Sequence, residues 1–149
     1  MYIISFLFVF LMHSNGFSGT QRTQMCMDFG KNENCIPEHS EGFIRTSLSR
    51  SYNLEYGKTA RYEVVLYGGK EIIIQCCSED HSYPIRFKLI KTESGKVIYD
   101  NKYNDYIDNL NLMLDYTELL AIEINAEPKR KLKDGRGCIG IAIYMREVL

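Results

Sequence analysis

Thr59 to Cys77 reads TARYEVVLYGGKEIIIQCC, and this stretch decides the fold. Thr59 to Tyr67 is rich in β-branched and aromatic residues, as extended strands are. Gly68-Gly69 then supplies a turn where positive φ carries no steric penalty. Glu71 to Cys77 follows as a second extended run, and the expected arrangement of the two is a hairpin. Ile72, Ile73 and Ile74 stand in succession, so both faces of that strand are apolar, as in a strand covered on both sides.

The pattern continues downstream. Ile85 to Lys91 (IRFKLIK) alternates Ile85, Phe87 and Leu89 with Arg86, Lys88 and Lys91, as a strand with a solvated basic face does. Thr92-Glu93-Ser94-Gly95 makes a turn, and Lys96 to Asp100 returns. Asn109 to Asp115 places Leu110, Leu112 and Leu114 at a period of two rather than 3.6. Leu119 to Ala126 and Cys138 to Met145 complete the set. Cys138 to Met145 reads as an internal strand, with Gly140 marking a point where a neighbour approaches closely. Phe43 to Leu54 suits an additional strand better than the helix its Ile44, Leu48 and Tyr52 spacing would allow. The fold expected is all-β, an antiparallel, jelly-roll-like β-sandwich of about seven to eight strands spanning residues 42–149.

Ahead of it lies a polar lead-in (residues 19–41) and, at the start, Ile3 to Met12 (IISFLFVFLM). That apolar run is too short to cross a bilayer and is followed by small residues, including Gly16 and Ser18. Residues 1–18 therefore read as a signal peptide, cleaved after Ser18 or, as the second choice, after Gly16, although no Lys or Arg precedes the apolar run. The expected location is outside the cytoplasm, secreted or in the periplasm and cell envelope, with no transmembrane segment in the mature chain. All five cysteines, Cys26, Cys35, Cys76, Cys77 and Cys138, lie beyond the cut. In an oxidising compartment they imply two disulfides and one spare thiol. Cys76 and Cys77 are strand neighbours and point to opposite faces, so each seeks its own partner. Cys26 with Cys35 would close a short loop, and Cys138 is a natural partner for one of the central pair. Zinc is disfavoured, because no C-x-x-C and no paired histidines occur.

The 149 residues carry a net charge of −1, which excludes binding driven by bulk attraction to nucleic-acid phosphates. Candidate chemistry is sparse. His13 falls in the signal peptide, while His39 and His81 sit in polar loops. Cys77 and His81 could be drawn as a nucleophile pair, yet no orienting group or oxyanion motif accompanies them, so no enzyme activity is expected. Asp100 to Asn109 (DNKYNDYIDN) is the most distinctive polar stretch. Its Asp100, Asp105 and Asp108 offer oxygen ligands of the kind Ca²⁺ takes, but Lys102 intrudes and the EF-hand glycine and terminal glutamate are missing. A turn-rich connection explains the same residues, and no cofactor beyond that calcium option is expected. Tyr99, Tyr103 and Tyr106 could form a rim for an unknown protein or glycan partner, since aromatic bodies with polar tips suit such sites. The basic run from Pro128 to Arg136 reads as a solvated loop that could meet an anionic surface.

Tyr62-Glu63-Val64-Val65-Leu66, Gly68-Gly69-Lys70, Ile72-Ile73-Ile74-Gln75-Cys76, Ile85-Arg86-Phe87-Lys88-Leu89, Gly95-Lys96-Val97-Ile98-Tyr99-Asp100-Asn101 and Gly137-Cys138-Ile139-Gly140-Ile141 together resemble small exported β-sandwich proteins of Bacteroidota. More distantly they are similar to pre-peptidase C-terminal and GOLD-like sandwiches. The resemblance covers Thr59 to Met145. It implies a β-sandwich with no catalytic motif to carry over, and favours Cys76 or Cys77 pairing with Cys138.

Overall fold

A computed structural model describes residues 26–27, 29–31, 35–79, 84–127 and 135–148. The expected signal peptide, His81 and most of the basic run (128–134) lie outside these residues. Among the described residues nine strands follow one another: β1 (Ile44–Arg45), β2 (Arg50–Glu55), β3 (Thr59–Leu66), β4 (Lys70–Ser78), β5 (Ile85–Lys91), β6 (Val97–Asp100), β7 (Asn109–Met113), β8 (Glu118–Ala126) and β9 (Arg136–Glu147). The expected strand over Phe43 to Leu54 is present but divided. Thr46 breaks it, its hydroxyl donating to Ile143 O (2.9 Å) while Ser49 Oγ donates back to Thr46 O (3.0 Å).

Two antiparallel sheets face each other. One runs β2-β9-β4-β7, with β1 also on the β2 edge of β9, and the other runs β3-β8-β5-β6. The pairings β2·β9, β3·β8, β4·β7 and β5·β6 show how this arises. The chain is one long antiparallel ribbon, doubled back at the β5–β6 hairpin and rolled so that successive strand pairs alternate between sheets. That is the jelly roll. The rolling corrects one expectation, because β3 and β4 are not partners and Gly68-Gly69 is a corner between the sheets. The reason lies in what packs on it. Gly69 (φ +71°) donates to Leu114 O at 2.8 Å, Gly68 N reaches Thr117 Oγ1 at 3.2 Å, and a Cβ on Gly68 would fall 2.6 Å from the Tyr116 carbonyl carbon. The β3–β4 and β7–β8 corners thus stack on one another, and only glycine leaves room.

Between the sheets, Ile72, Ile74, Cys76, Ile139, Ile141 and Ile143 meet Val64, Leu66, Phe87, Leu89, Leu120, Ile122 and Ile124, all buried. Burying each large aliphatic side chain contributes about 1.5–3 kcal/mol, so this layer dominates stability. The isoleucine run divides as its spacing requires. Ile72 and Ile74 face inward, while Ile73 faces the outer side of the first sheet. There the lead-in covers it, forming a second apolar layer of Cys26, Phe29, Cys35, Ile73, Cys77, Cys138, Ala142 and Tyr144.

Two disulfides, Cys26–Cys138 and Cys35–Cys77, tie that cover down, and Cys76 is the free thiol. Cys76 and Cys77 do face opposite ways. The expected local Cys26–Cys35 loop does not form, and Cys138 bridges to neither member of the central pair. In the β4·β9 register Cys77 lies opposite Gly140, which sets Cys138 two residues along rather than across from it. Cys77 and Cys138 share the outer face, and the lead-in passes over both, so each takes one of its cysteines. Gly140 makes the close passage possible.

Candidate binding surfaces

The chain between β6 and β7 is built around two polar anchors, the half-buried Asp100 and the buried Asn101. Asp100 ends β6, and Arg86 of β5 grips both of its oxygens, Nε to Oδ1 at 3.1 Å and Nη2 to Oδ2 at 2.6 Å. Asp100 Oδ1 also caps the following 3-10 turn (Asn101–Tyr103) by accepting from Lys102 N. The Arg86 hydrogen bonds hold the Asp100 carboxyl below its usual range. Asn101 is fully buried. Its Oδ1 accepts from Phe87 N (2.9 Å), its Nδ2 donates to Ile85 O (2.8 Å) and Ile107 O (3.1 Å), and its carbonyl accepts from Asn104 N and Tyr106 N. One amide side chain therefore continues the β5 ladder and closes the loop at once.

The loop then turns through two consecutive non-glycine residues at positive φ, Asp105 (49°) and Tyr106 (55°). Such residues persist only where their surroundings over-determine them, and they concentrate at functional sites. Tyr106 is fixed by its hydroxyl, which donates to Glu127 Oε2 at 2.7 Å; that bond raises its pKa. Glu127 in turn lies 3.8 Å from Arg86 Nη1. Tyr103 is the residue this pinned frame holds out, 86% exposed at the tip.

The three tyrosines expected on one rim therefore part company. Tyr99 turns inward, its ring centroid 5.3 Å from that of Phe87 and its hydroxyl buried without a hydrogen-bond partner among the described residues. Tyr103 and Tyr106 share the loop. The calcium ligands do not converge either. Arg86 occupies Asp100, Asp105 and Asp108 are exposed, and among the described residues no three Asp, Glu, His or Cys side chains gather as a metal site would require. The thiol reading fails on Cys77, which is bonded to Cys35. Cys76 is enclosed, and burial, reinforced by Asp108, pushes its thiol pKa far up, away from nucleophilic character.

A second surface escaped sequence reasoning. On the outer side of the first sheet, the end of the lead-in and β7 bound an open groove of about 540 Å³, lined by His39, Glu41, Phe43, Ile73, Met113 and Arg146 among others. Arg146 lies 4.4 Å over the Phe43 ring, pairs with Glu71, and donates to Glu41 O. These residues come from positions more than a hundred apart in the chain, and the exposed Met113 in an Asn/Leu alternation was the one local signal. The outer face of the other sheet is self-neutralised. Glu123 pairs with Arg61 (3.0 Å) and Lys88 (3.7 Å), next to the Arg86–Asp100 pair.

No protein-family model matches the chain, and no curated protein does. Among solved structures it is similar to the periplasmic inhibitor of g-type lysozyme PliG from Aeromonas hydrophila, at 12% identity over 74% of this chain and 93% of that one, with a TM-score of 0.44. It is also similar to a glycosylation-associated protein (Gap123) complex from Streptococcus agalactiae, at 13% identity over 75% of this chain but 23% of that one, with a TM-score of 0.36. Likenesses this distant do not decide what this chain binds.

Proposed function

We propose that the protein is an exported, non-enzymatic jelly-roll module that binds a protein or glycan partner at the cell envelope through the Tyr103 loop. The observation that carries this reading is the loop itself. Asp100, Asn101 and Tyr106 are each bonded into the sandwich, two residues bear positive φ, and the large aromatic between them is left in solvent. A rigid aromatic presented at low entropic cost is what binding hot spots use. Export is supported by two buried disulfides, which persist in oxidising compartments, and by the signal-peptide reading of residues 1–18. The resemblance to exported sandwiches of Bacteroidota points the same way. A non-enzymatic role is supported by the protonated, enclosed Cys76 and by the commitment of Cys77 to a disulfide.

The test is capture of partners from an envelope extract by the wild-type chain and by Tyr103→Ala, with melting temperature measured for both. The reading expects a partner that the wild type retains and the equally stable variant loses. Identical capture by both proteins would remove the loop from the account.

A further inference from the structure

Among the described residues the sheet edges are β1 with β2, β3, β6 and β7. Most carry features that discourage pairing with another chain. β2 begins at Arg50 and ends at Glu55, β3 bears Arg61 and Glu63, and β6 is four residues long and meets β5 through an irregularity at Leu89/Ile90. β7 has none of these. It reads NLNLM, without charge or proline, and keeps an unbroken register with β4 from Glu71↔Met113 to Gln75↔Asn109. Cys76 N donates to Asp108 O at 2.6 Å. By the alternation of an antiparallel ladder, Leu110 and Leu112 then also turn their N–H and C=O groups toward β4. Asn109, Asn111 and Met113 turn theirs to the free edge.

We propose that β7 is the seam of a two-fold dimer, pairing antiparallel with β7 of a second copy about Asn111. A register centred there uses the whole strand. Asn111 meets Asn111 of the second copy and Asn109 meets Met113, all through outward-facing backbone groups. Leu110 meets Leu112 of the second copy at the closer, non-hydrogen-bonded positions. Both leucines lie on the inner face, where each already packs on the core. On one face the strand sets apolar against apolar, on the other Asn111 meets Asn111 between two Asn109–Met113 pairs, and no like charges are opposed. The same register carries Tyr116, 76% exposed, of the second copy toward the Tyr103 loop. The dimer does not depend on that loop being a binding site.

The experiment is sedimentation of the disulfide-intact chain from low micromolar to near-millimolar concentration, alongside Asn111→Lys. Because the Asn111 backbone groups face away from β4 and its side chain is exposed, this variant should melt as the wild type does at dilutions where both are monomeric, while its dimer dissociation constant rises about tenfold or more. Cysteine placement tests the register. Asn111→Cys should cross-link to itself, since opposed hydrogen-bonded residues lie about 5.5 Å apart between Cα atoms. Met113→Cys should cross-link efficiently only when mixed with Asn109→Cys. A wild-type chain that stays monomeric throughout, even one that captures another protein, would overturn the proposal. So would a dimer indifferent to Asn111→Lys, or Met113→Cys linking to itself as readily as Asn111→Cys does.

Discussion

Gly140 of β9 lies directly beneath Gly30 of the lead-in: a Cβ built on Gly140 would fall 2.6 Å from the Gly30 Cα, and under 3 Å from the sulfurs of Cys35 and Cys77. Backbone passes over backbone there, and neither can move aside without disturbing the bridge. Gly140→Ala should destabilise the protein by about 1–3 kcal/mol, the usual cost of overpacking. Chemical denaturation measures the loss, and a variant as stable as wild type would show that the lead-in does not sit there.

The two apolar layers should separate on reduction. The inter-sheet core draws on no described lead-in residue, whereas the outer layer depends on Cys26, Phe29 and Cys35. Replacing Cys35 and Cys77 together by serine should cost about 2–5 kcal/mol, the usual loss for a native disulfide. The strand signal in circular dichroism should remain, with faster amide exchange confined to the lead-in and to the outer-face residues beneath it.

Cys76 should resist alkylation in the native state and react only on unfolding, because its thiol is enclosed and protonated. Cys76→Ser buries a hydroxyl among aliphatic side chains and should cost about 1–3 kcal/mol, more than Cys76→Ala. The pH dependence has a definite sign. Burial raises the folded-state pKa of Cys76 above the ordinary 9.0 and that of Tyr62 above 10.0. The unfolded chain therefore ionises first, and stability should fall as pH rises above about 9. Cys76→Ala should blunt that fall.

At the acid end the Arg86–Asp100 pair contributes. The folded-state pKa of Asp100 is lowered from the ordinary 3.8, so its contribution is present above that pH and is lost as pH falls through the folded value. Asp100→Asn should remove that part of the acid destabilisation, read from melting temperatures below about pH 4. Because Arg86 already occupies the carboxylate, melting should be unchanged by calcium or by EDTA.

Asn101→Ala should cost about 2–4 kcal/mol, since it strands the Phe87 N–H and the Ile85 and Ile107 carbonyls in a buried site. Proteolytic nicking near Tyr103 should rise in parallel. Asn101→Asp keeps an acceptor for Phe87 but sets a carboxylate oxygen against the Ile85 and Ile107 carbonyls in a buried site, and should cost at least as much as alanine.

Much of the fold was readable because period-two patterns report which face of a strand is buried. Leu110 and Leu112, the Ile72–Ile74 run and Gly140 each stand where their pattern implied. Pairing partners were less accessible. Gly68-Gly69 makes an equally good hairpin turn or inter-sheet corner, and the packing of Tyr116 that decides between them lies almost fifty residues away. The same holds for the disulfides. The face of Cys77 was readable from its neighbour Cys76, but its partner depended on the path of the lead-in. Of the site, the loop was visible as a polar run. Nothing local distinguished Tyr99, drawn inward by Phe87, from Tyr103, left outside, and the groove at Phe43 and Arg146 exists only after folding.

The Cys26–Cys138 bridge spans 112 residues and joins the two open ends of the rolled ribbon. Under tension applied between the chain before Cys26 and the chain after β9, the last strand can peel back only as far as Cys138. From there the force passes through the sulfur–sulfur bond to Cys26, and the strands between carry none of it. Strands β1 to β8 and the Tyr103 loop lie inside the covalent loop that the bridge closes, so beyond Cys138 the load falls on β9 and its own pairings alone.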